Sequence, residues 1–336
     1  MEILLLERLV PEAHAWLEAR HQVAYRPELA ADPAALRKQL YNVQTLVLPR
    51  KIAVTREFLD FAPVLRGVAR MHVGTDNTDL EACRERRVRV IQAINAHVRS
   101  NAEYVLASLL LLNRRGIAAT LRGERHAPGT VGRELHGSTV GILGLAPSAH
   151  ALATMLEALG AKLIGYDPAV HHTASIWQRL KIQPVSLPEL MAQSDSVTVQ
   201  VLYASRYQHF INESVLAHCK PGQLWVGTTR SALFDPQALA GALKDGRIEA
   251  AMLDGAENGF ASRGSPLHEL GNLYLTPRLG SLTRESRQRA SWYVAQRLHE
   301  SLVAPRNSGF DTILSAPMNL DNPESLPASR PQDLVP

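Results

Sequence analysis

Short apolar runs alternate along the chain with longer stretches in which apolar residues recur every three or four positions. The short runs predict β-strands, and the longer stretches predict amphipathic α-helices. Predicted strands cover residues 3–7, 45–49, 67–71, 88–93, 138–144, 161–167, 195–202, 224–228, 248–254 and 272–276. Predicted helices cover residues 11–19, 56–62, 79–87, 97–115, 148–160, 235–246 and 283–303. Strands that alternate with helices in this way are typical of parallel sheets covered by helices.

The strands and helices form two series, one on each side of the long helix predicted at 97–115. We therefore predict an α/β protein with two doubly wound, Rossmann-like domains. The larger domain covers residues 101–287 and is inserted into a smaller one, formed by residues 1–100 together with 288–312. Residues 313–336 are rich in proline and weakly periodic, which predicts an extended or partly disordered tail. An arm that reaches a partner subunit is the alternative interpretation of this tail.

The composition is that of an ordinary globular protein, with 46% hydrophobic and 20% charged residues among 336. The two cysteines, Cys83 and Cys219, form no CxxC pair, so neither a disulfide framework nor a zinc site is indicated. The apolar run at 104–112 is too short to span a bilayer. The apolar N-terminal stretch acquires charge too early to be a signal peptide. We therefore expect a cytoplasmic protein with no membrane partner.

The chain carries a net charge of +4, and its densest basic patch contains Arg84, Arg86, Arg87 and Arg89. Such a patch is compatible with a nucleic-acid site. However, no aromatic residues are interleaved with it, as stacking on single strands would favour. The solvated end of a helix is the favoured interpretation, so nucleic acid is not an expected partner.

A strand-turn-helix segment at VGILGLAPSAHALA carries a nucleotide-binding pattern with one departure. Gly144 stands at the first position of G-x-G-x-x-G/A and Ala149 at the third, where alanine is allowed because it only packs helix on strand. Ala146 stands at the second position, where glycine lets a pyrophosphate approach the backbone. Pro147 follows without an N–H to offer, and Ser148 or His150 is a candidate to compensate in part. These residues, Gly144 to Ala149, are predicted to bind the cofactor.

Asp167 ends the next predicted strand, at the spacing expected of the acid that binds the adenosine ribose. An acidic residue there favours NAD over NADP, because it binds the ribose hydroxyls and repels a 2′-phosphate. The alternative is a βαβ unit that no longer binds a nucleotide.

Six motifs, in this order along the chain, resemble those of the D-isomer-specific 2-hydroxyacid dehydrogenases. The motifs are VGTDNTDLEA (73–82), SNAEYVLASLL (100–110), VGILGLAPSA (140–149), KPGQLWVGTTR (220–230), AMLDG (251–255) and LTPRLGS (275–281). The resemblance covers the chain to about residue 305. It implies an NAD-binding domain inserted into a substrate domain, and a homodimer formed through the nucleotide domain. The implied reaction is hydride transfer between nicotinamide and a 2-hydroxy or 2-keto acid.

The resemblance also implies roles for particular residues. Arg230 ends the GTTR motif and occupies the position of an arginine that holds the substrate carboxylate and carbonyl. Asp254 occupies the position of an aspartate near the nicotinamide, and Thr228 is expected to line the cofactor site as well.

Two positions depart from the family pattern. The family has a glutamate five residues after the aspartate, where this chain has Gly259, and Glu257 lies two residues short of that place. The family has a histidine directly after the Thr-Pro pair, where this chain has Arg278. Because arginine stays protonated in proteins, Arg278 cannot act as the general acid and base that a histidine would be.

The substrate loop RMHVGTDN differs too, since His72 stands where the family has a glycine. Backbone N–H groups of this loop bind the substrate carboxylate in the family, so His72, Val73 and Gly74 are predicted to contact the substrate. His72, His97 and Tyr203 are candidates for a replacement acid, and an ordinary loop histidine is the other interpretation of His72.

Two functions remain open at this point. The first is an NAD-dependent oxidoreductase with altered chemistry, in which Arg230 and Arg278 together bind a small anionic 2-hydroxy or 2-keto acid. The second is a catalytically inactive family member that binds a nucleotide or an anion as a regulator or subunit. The departures at residues 146, 259 and 278 favour the second, and the retained Arg230 favours the first.

Overall fold

A computed structural model describes residues 1–72, 77–115 and 131–304, and the backbone of residues 313–314. The chain divides into two compact units. The split unit comprises Met1–His97 and Arg284–Pro336, and the central unit comprises Val98–Thr283. Each contains a parallel sheet with helices, so the predicted α/β fold with two Rossmann-like units is confirmed.

The split unit contains a six-stranded, all-parallel sheet with the order β13-β5-β4-β3-β1-β2. Its strands are β1 (Ile3–Leu5), β2 (Val23–Tyr25), β3 (Thr45–Val47), β4 (Gly67–Arg70), β5 (Arg89–Gln92) and β13 (Ile313–Leu314). Its helices are α1 (Pro11–Glu18), α2 (Pro33–Leu40), α3 (Arg56–Asp60), α4 (Leu80–Glu85) and α11 (Arg284–Val303). Alternate residues of β1 enter different buried apolar clusters, which shows that both faces of this sheet are covered.

The central unit contains a seven-stranded, all-parallel sheet with the order β12-β11-β10-β9-β6-β7-β8. Its strands are β6 (Thr139–Leu143), β7 (Lys162–Tyr166), β8 (Gln183–Pro184), β9 (Ser196–Val199), β10 (Gln223–Gly227), β11 (Ile248–Asp254) and β12 (Leu273–Thr276). Its helices are α5 (Val98–Asn113), α6 (Pro147–Ala158), α7 (Ser175–Arg179), α8 (Leu187–Gln193), α9 (Glu213–Leu216) and α10 (Pro236–Lys244). Two buried apolar clusters again cover its faces.

The edge strands β2 and β8 were not predicted from the sequence. They have no fully buried residue, and with three and two residues they are too short to show a periodic pattern. The predicted start of α10 is confirmed, because the Asp235 carboxylate accepts hydrogen bonds from Gln237 N and Ala238 N. Gly246 follows that helix with φ +80°, the conformation in which glycine ends helices.

Three features bear on the remaining expectations. Arg84 and Arg86 pair with Glu81 and Asp60, which fits the solvated end of a helix rather than a nucleic-acid site. Within the described ranges, no helix is both long enough and apolar enough to cross a bilayer. The first two residues of the predicted tail form β13 beside β5, and the rest of that tail lies outside the described residues.

Candidate active site

Three predicted site residues, and Glu257 near the place of the absent family glutamate, follow the carboxyl ends of four strands of the central sheet. Gly144 follows β6, Arg230 follows β10, Glu257 follows β11 and Arg278 follows β12. All seven strands of this sheet are parallel, so these ends lie along one edge. That edge is where open α/β sheets bind their ligands.

The turn after β6 requires glycine at its first position. Gly144 has φ +96°, and a Cβ placed there would lie 2.4 Å from the backbone nitrogen of Val201. Ala146 precedes α6 with φ −55°, so the backbone at the second position suits any L-residue and does not itself require glycine. Within the described part of the chain, the N–H groups of Ala146 and Ser148 donate no hydrogen bond. Two such groups at a helix N-terminus can receive an anion, so this turn fits a pyrophosphate.

The side chains around the turn are engaged within the protein. The Ser148 hydroxyl donates to Gln200 Oε1 at 2.6 Å, so it supports the end of β9 instead of replacing the N–H that Pro147 lacks. The ring of His150 hydrogen-bonds the carbonyl of Leu145 at 3.2 Å, and burial lowers the pKa of this histidine. Ala149 is fully buried in the core between α6 and the sheet. The side chains of these three residues therefore stabilise the turn, and the groups that can bind a pyrophosphate are the backbone N–H groups.

Asp167 connects the end of β7 to the same turn. Its carboxylate accepts hydrogen bonds from Leu145 N at 2.6 Å and Ala169 N at 2.7 Å. It lines a groove of about 680 Å³ together with His171 and His172, whose rings are in contact at a tilt of 39°. An acid held beside the phosphate turn and open to a groove fits the ribose of an adenine dinucleotide.

Arg230 lies in a compact polar network after β10. Its Nε donates to Glu257 Oε1 at 2.8 Å, and its guanidinium carbon lies 5.1 Å from the centre of the Tyr203 ring. The other carboxylate oxygen, Oε2, accepts from the backbone N–H of Ser231 at 2.8 Å and also from the Ser231 hydroxyl. The Ser231 Oγ in turn accepts from Glu257 N at 3.0 Å. Tyr203, a candidate acid in the sequence, is here a ring against a cation.

Glu257 is kept ionised by this network. Burial raises the pKa of its carboxyl, but the hydrogen bonds from Arg230 and Ser231 outweigh burial and lower the pKa overall. A depressed carboxyl pKa contributes stability above the pKa of the unfolded chain, and this contribution is lost as pH falls through the folded value. The carboxylate therefore persists at neutral pH and has no proton to donate.

The Asp254 carboxylate stabilises the loop that contains Arg278. The carboxylate is only 6% exposed and accepts from the Thr276 hydroxyl at 2.6 Å, from Leu279 N at 2.7 Å and from Gly280 N at 2.8 Å. The Tyr104 hydroxyl lies 2.6 Å from the Thr276 hydroxyl and extends this chain of hydrogen bonds. Asp254 was predicted to bind the cofactor, and its contacts in the structure are to the loop.

Arg278 is exposed and occupies a slot created by Gly255. A Cβ at Gly255 would lie 2.5 Å from Arg278 Cγ and 3.2 Å from Cζ, so the arginine side chain fills the space that a larger residue would take. Arg278 itself has φ +58°, which is uncommon for a residue with a side chain. Within the described part of the chain, its guanidinium forms no hydrogen bond or ion pair. This cation is therefore available to an anionic ligand.

Position 259, where the family has a glutamate, has a backbone conformation that favours glycine. Gly259 has φ +94°, which strains any side-chain-bearing residue, although among the described residues only Ser262 Oγ lies within 4 Å of a Cβ placed there. Glu257 binds Arg230 and Ser231, and no ion pair joins it to Arg278 within the described residues. A glutamate at position 259 would therefore be strained in this backbone conformation.

The remaining candidates belong to the split unit. His97 is held at both ring nitrogens, by Met71 O at 2.7 Å and by the Ser286 hydroxyl at 2.5 Å, and burial lowers its pKa. It is therefore neutral and structural. His72 follows β4 in a half-buried position, while Val73 and Gly74 lie outside the described residues.

Sequence reasoning missed three residues that shape the site. They are Ser231, which binds Glu257, Gly255, which accommodates Arg278, and Tyr104, which joins the Asp254 chain. Ser231 directly follows Arg230 and Gly255 directly follows Asp254, so proximity in sequence was a usable signal for both. Tyr104 lies on α5, far from the loop in sequence, and no such signal exists for it.

Comparisons with known proteins found relatives in sequence and in fold. A sequence model of the D-isomer specific 2-hydroxyacid dehydrogenase NAD binding domain matches residues 106–280, more than half of the chain. The chain is 33% identical over 304 residues to (S)-sulfolactate dehydrogenase of Chromohalobacter salexigens, covering 90% of this chain and 98% of that enzyme. It is also 33% identical over 307 residues to D-3-phosphoglycerate dehydrogenase of Mycobacterium bovis, covering 90% of this chain. The chain spans 57% of the length of that second relative.

Solved structures share the fold over most of the chain. A protein from Thermus thermophilus superimposes with a TM-score of 0.77 at 28% identity, covering 90% of this chain and 97% of that one. D-mandelate dehydrogenase of Rhodotorula graminis superimposes with a TM-score of 0.74 at 23% identity, covering 89% and 93%. The second identity is low enough that the likeness concerns the fold alone.

Proposed function

Because the chain belongs to the D-isomer specific 2-hydroxyacid dehydrogenase family, with an NAD-binding domain over residues 106–280, we propose that it is an NAD-dependent oxidoreductase with altered proton chemistry. Its substrate is a small anionic 2-hydroxy or 2-keto acid. The observation that carries this proposal is the Arg230 network, which keeps a supported arginine at the ligand-binding edge of the sheet.

Arg230 and Arg278 have separate roles in the proposed reaction. Arg230 binds the substrate carboxylate through charge-assisted hydrogen bonds. Arg278 attracts the substrate oxygen electrostatically, which polarises a keto group or stabilises an alkoxide. Bound nicotinamide supplies the hydride for reduction and accepts it in oxidation. Arg278 exchanges no proton, so water delivers the proton to the oxygen or removes it.

A second anionic group on the substrate fits this distribution of charge. Arg230 is already paired with Glu257, whereas Arg278 has no ion pair within the described residues. One relative acts on sulfolactate, whose name denotes a sulfonate beside a 2-hydroxy acid. A guanidinium has five N–H donors, so Arg278 can bind the reacting oxygen through one of them, and we propose that a sulfonate, phosphate or second carboxylate of the substrate accepts from the others. On family grounds we further propose a cytoplasmic homodimer.

The alternative function is an inactive, ligand-binding family member. Its supporting observation is that the residues at 259 and 278 cannot provide the acid and its orienting glutamate, and Glu257 is committed to Arg230. Such a protein would bind a nucleotide or a small anion, as a regulator or subunit, and leave it chemically unchanged.

We expect NADH to raise the melting temperature of the protein, and the NADH fluorescence signal to follow a saturating, one-site binding curve. With NADH present, reduction of 2-keto acids that carry a second anionic group should exceed reduction of pyruvate at least about tenfold, since one added charge-assisted contact contributes about 1.5–3 kcal/mol. Replacing Lys162, an exposed cation at the amino end of β7, by alanine is the control and should change neither result. Binding of NADH and acid with no turnover supports the inactive alternative. Absence of NADH binding refutes the oxidoreductase and the nucleotide-binding form of the alternative, and leaves its anion-binding form.

Introducing a histidine in Arg278→His should add a pH-dependent step that the natural protein lacks. Histidine titrates near about pH 6.5 and must be protonated to donate in the reductive direction, so the added rate should fall as pH rises through that value. General acid catalysis contributes about 10²- to 10⁴-fold where it is well oriented, and the absent glutamate places this variant at the lower end. The profile of kcat/KM against pH, compared with that of Arg278→Ala, measures the step. Identical profiles for the two variants would show that residue 278 does not face the reacting oxygen.

A further inference from the structure

We propose that Glu257 is a positioning residue for Arg230, a role distinct from support of a catalytic histidine. The proposal rests on the proposed function, in which Arg230 binds the substrate carboxylate. Glu257 lies two residues before the position of the absent family glutamate, and its carboxylate contacts the arginine network. The loop after β11 therefore supplies an acid to a different partner.

The contact on Nε determines which way the guanidinium faces. The group is planar, and a hydrogen bond at Nε lies in that plane, so the 2.8 Å bond to Oε1 restrains rotation about the Cδ–Nε bond. The Tyr203 ring, 5.1 Å from the guanidinium carbon, restrains the same group by packing. Together these contacts hold the arginine in one orientation before a ligand arrives.

Glu257 is itself held firmly enough to act as a support. Its Oε2 accepts from the Ser231 N–H and hydroxyl, and its own N–H donates to Ser231 Oγ. Ser231 is buried, with 3% of its surface exposed, and lies in the 3-10 turn Ser231–Leu233 directly after the arginine. The acid and the arginine are therefore tied to one rigid segment at the end of β10.

The same contact has an opposite interpretation, which makes the proposal testable. A carboxylate on Arg230 could act as an internal competitor that blocks the substrate carboxylate. If Glu257 positions Arg230, removing it weakens acid binding. If Glu257 competes, removing it strengthens acid binding. The two interpretations differ in the sign of one measured change.

The experiment uses the full chain with Glu257→Ala and Glu257→Gln, and Asn258→Ala as the matched control on an exposed neighbouring residue. The probe is oxalate, a planar dianion that mimics a 2-keto acid and needs no turnover. Its dissociation constant is measured calorimetrically in the presence of saturating NADH, and NADH affinity is measured separately. Where a good substrate is found, KM and kcat are measured as well.

We expect Glu257→Ala to raise the oxalate dissociation constant and the KM about 10- to 100-fold, because a slightly misplaced arginine loses most of its fork geometry. NADH affinity and melting temperature should stay close to those of the control, and kcat should change less than KM. Glu257→Gln keeps one acceptor for Nε and should recover part of the loss. A purely structural role would reduce NADH affinity and the active fraction together.

Each other result overturns the proposal in a recognisable way. Tighter oxalate binding in both variants shows that Glu257 competes with the ligand. Unchanged oxalate binding in the variants refutes the role of Glu257 and leaves the proposed function intact. A natural protein that binds NADH but neither oxalate nor any 2-keto acid refutes the proposed function, and with it the role of Glu257. If Glu257→Ala does not fold, the comparison of Glu257→Gln with the natural protein decides the sign.

Discussion

Gly144→Ala should lower the melting temperature by several degrees and weaken NADH binding at least about 100-fold. At φ +96° an added Cβ is strained, and this conformational cost is about 1–3 kcal/mol. The Cβ would also lie 2.4 Å from Val201 N and 2.6 Å from Gln200 C, which are backbone atoms of the segment after β9 and cannot rotate away. The turn must therefore move, and with it the N–H groups that face the pyrophosphate.

The chain offers a matched control for this substitution. Gly137 has φ +74°, but a Cβ placed there lies more than 4 Å from the neighbouring atoms of the part of the chain that the structure describes. Gly137→Ala should therefore cost only the conformational part, about 1 kcal/mol, which corresponds to about 2–4 °C for a unit of this size. Differential scanning calorimetry and NADH titration of the two variants separate the steric part from the conformational part. Equal stability of both variants, with NADH binding retained in Gly144→Ala, would contradict the close approach of β9 to this turn.

Arg230→Ala should lower kcat/KM for the 2-keto acid about 10³-fold while leaving the affinity for NADH unchanged. Two charge-assisted hydrogen bonds to a carboxylate contribute about 1.5–3 kcal/mol each, and both are lost. The substitution also leaves the Glu257 carboxylate partly buried without its cation, which repels an incoming acid. Steady-state kinetics with saturating NADH measures the loss.

Two further variants show whether the loss comes from the arginine fork or from charge alone. Arg230→Lys keeps the charge but not the planar fork, so its kcat/KM should lie between those of the natural protein and Arg230→Ala. The double variant Arg230→Ala with Glu257→Ala should lose less than the sum of the two single losses, since both belong to one network. Activity of Arg230→Ala within about tenfold of the natural protein would place the substrate carboxylate elsewhere.

Most of the fold was predictable because burial leaves a periodic signature in the sequence. Strand β6 is apolar except for Thr139, and β11 contains the apolar run Ala250–Leu253; both lie inside the predicted segments 138–144 and 248–254. Strands β2 and β8 were not predicted because runs of three and two residues are too short to show a period. Asp235 was recognisable as a helix cap because capping depends on residues that are adjacent in sequence.

The candidate site was only partly predictable, since its residues are brought together by the sheet and not by sequence spacing. Arg230, Asp254 and Arg278 were identified from motifs, but their partners were not. The bond from Arg230 to Glu257 crosses 27 residues, and the contact of Tyr104 with Thr276 crosses 172. No local pattern records which of several polar side chains will meet at the end of parallel strands.

The sequence by itself determined the fold class, the family and the absence of a proton-transferring histidine at position 278. These follow from residue type and order, since arginine cannot exchange protons near neutral pH wherever it is placed. Only the tertiary structure decided what the substituted residues do. The Arg278 side chain packs against Gly255, and Gly259 has a backbone conformation unsuited to glutamate. The Asp254 carboxylate accepts hydrogen bonds from the loop after β12, and the Glu257 carboxylate accepts one from Arg230. The physical reason is that orientation and hydrogen-bond partners depend on backbone conformation and on neighbours distant in sequence, which residue identity does not specify.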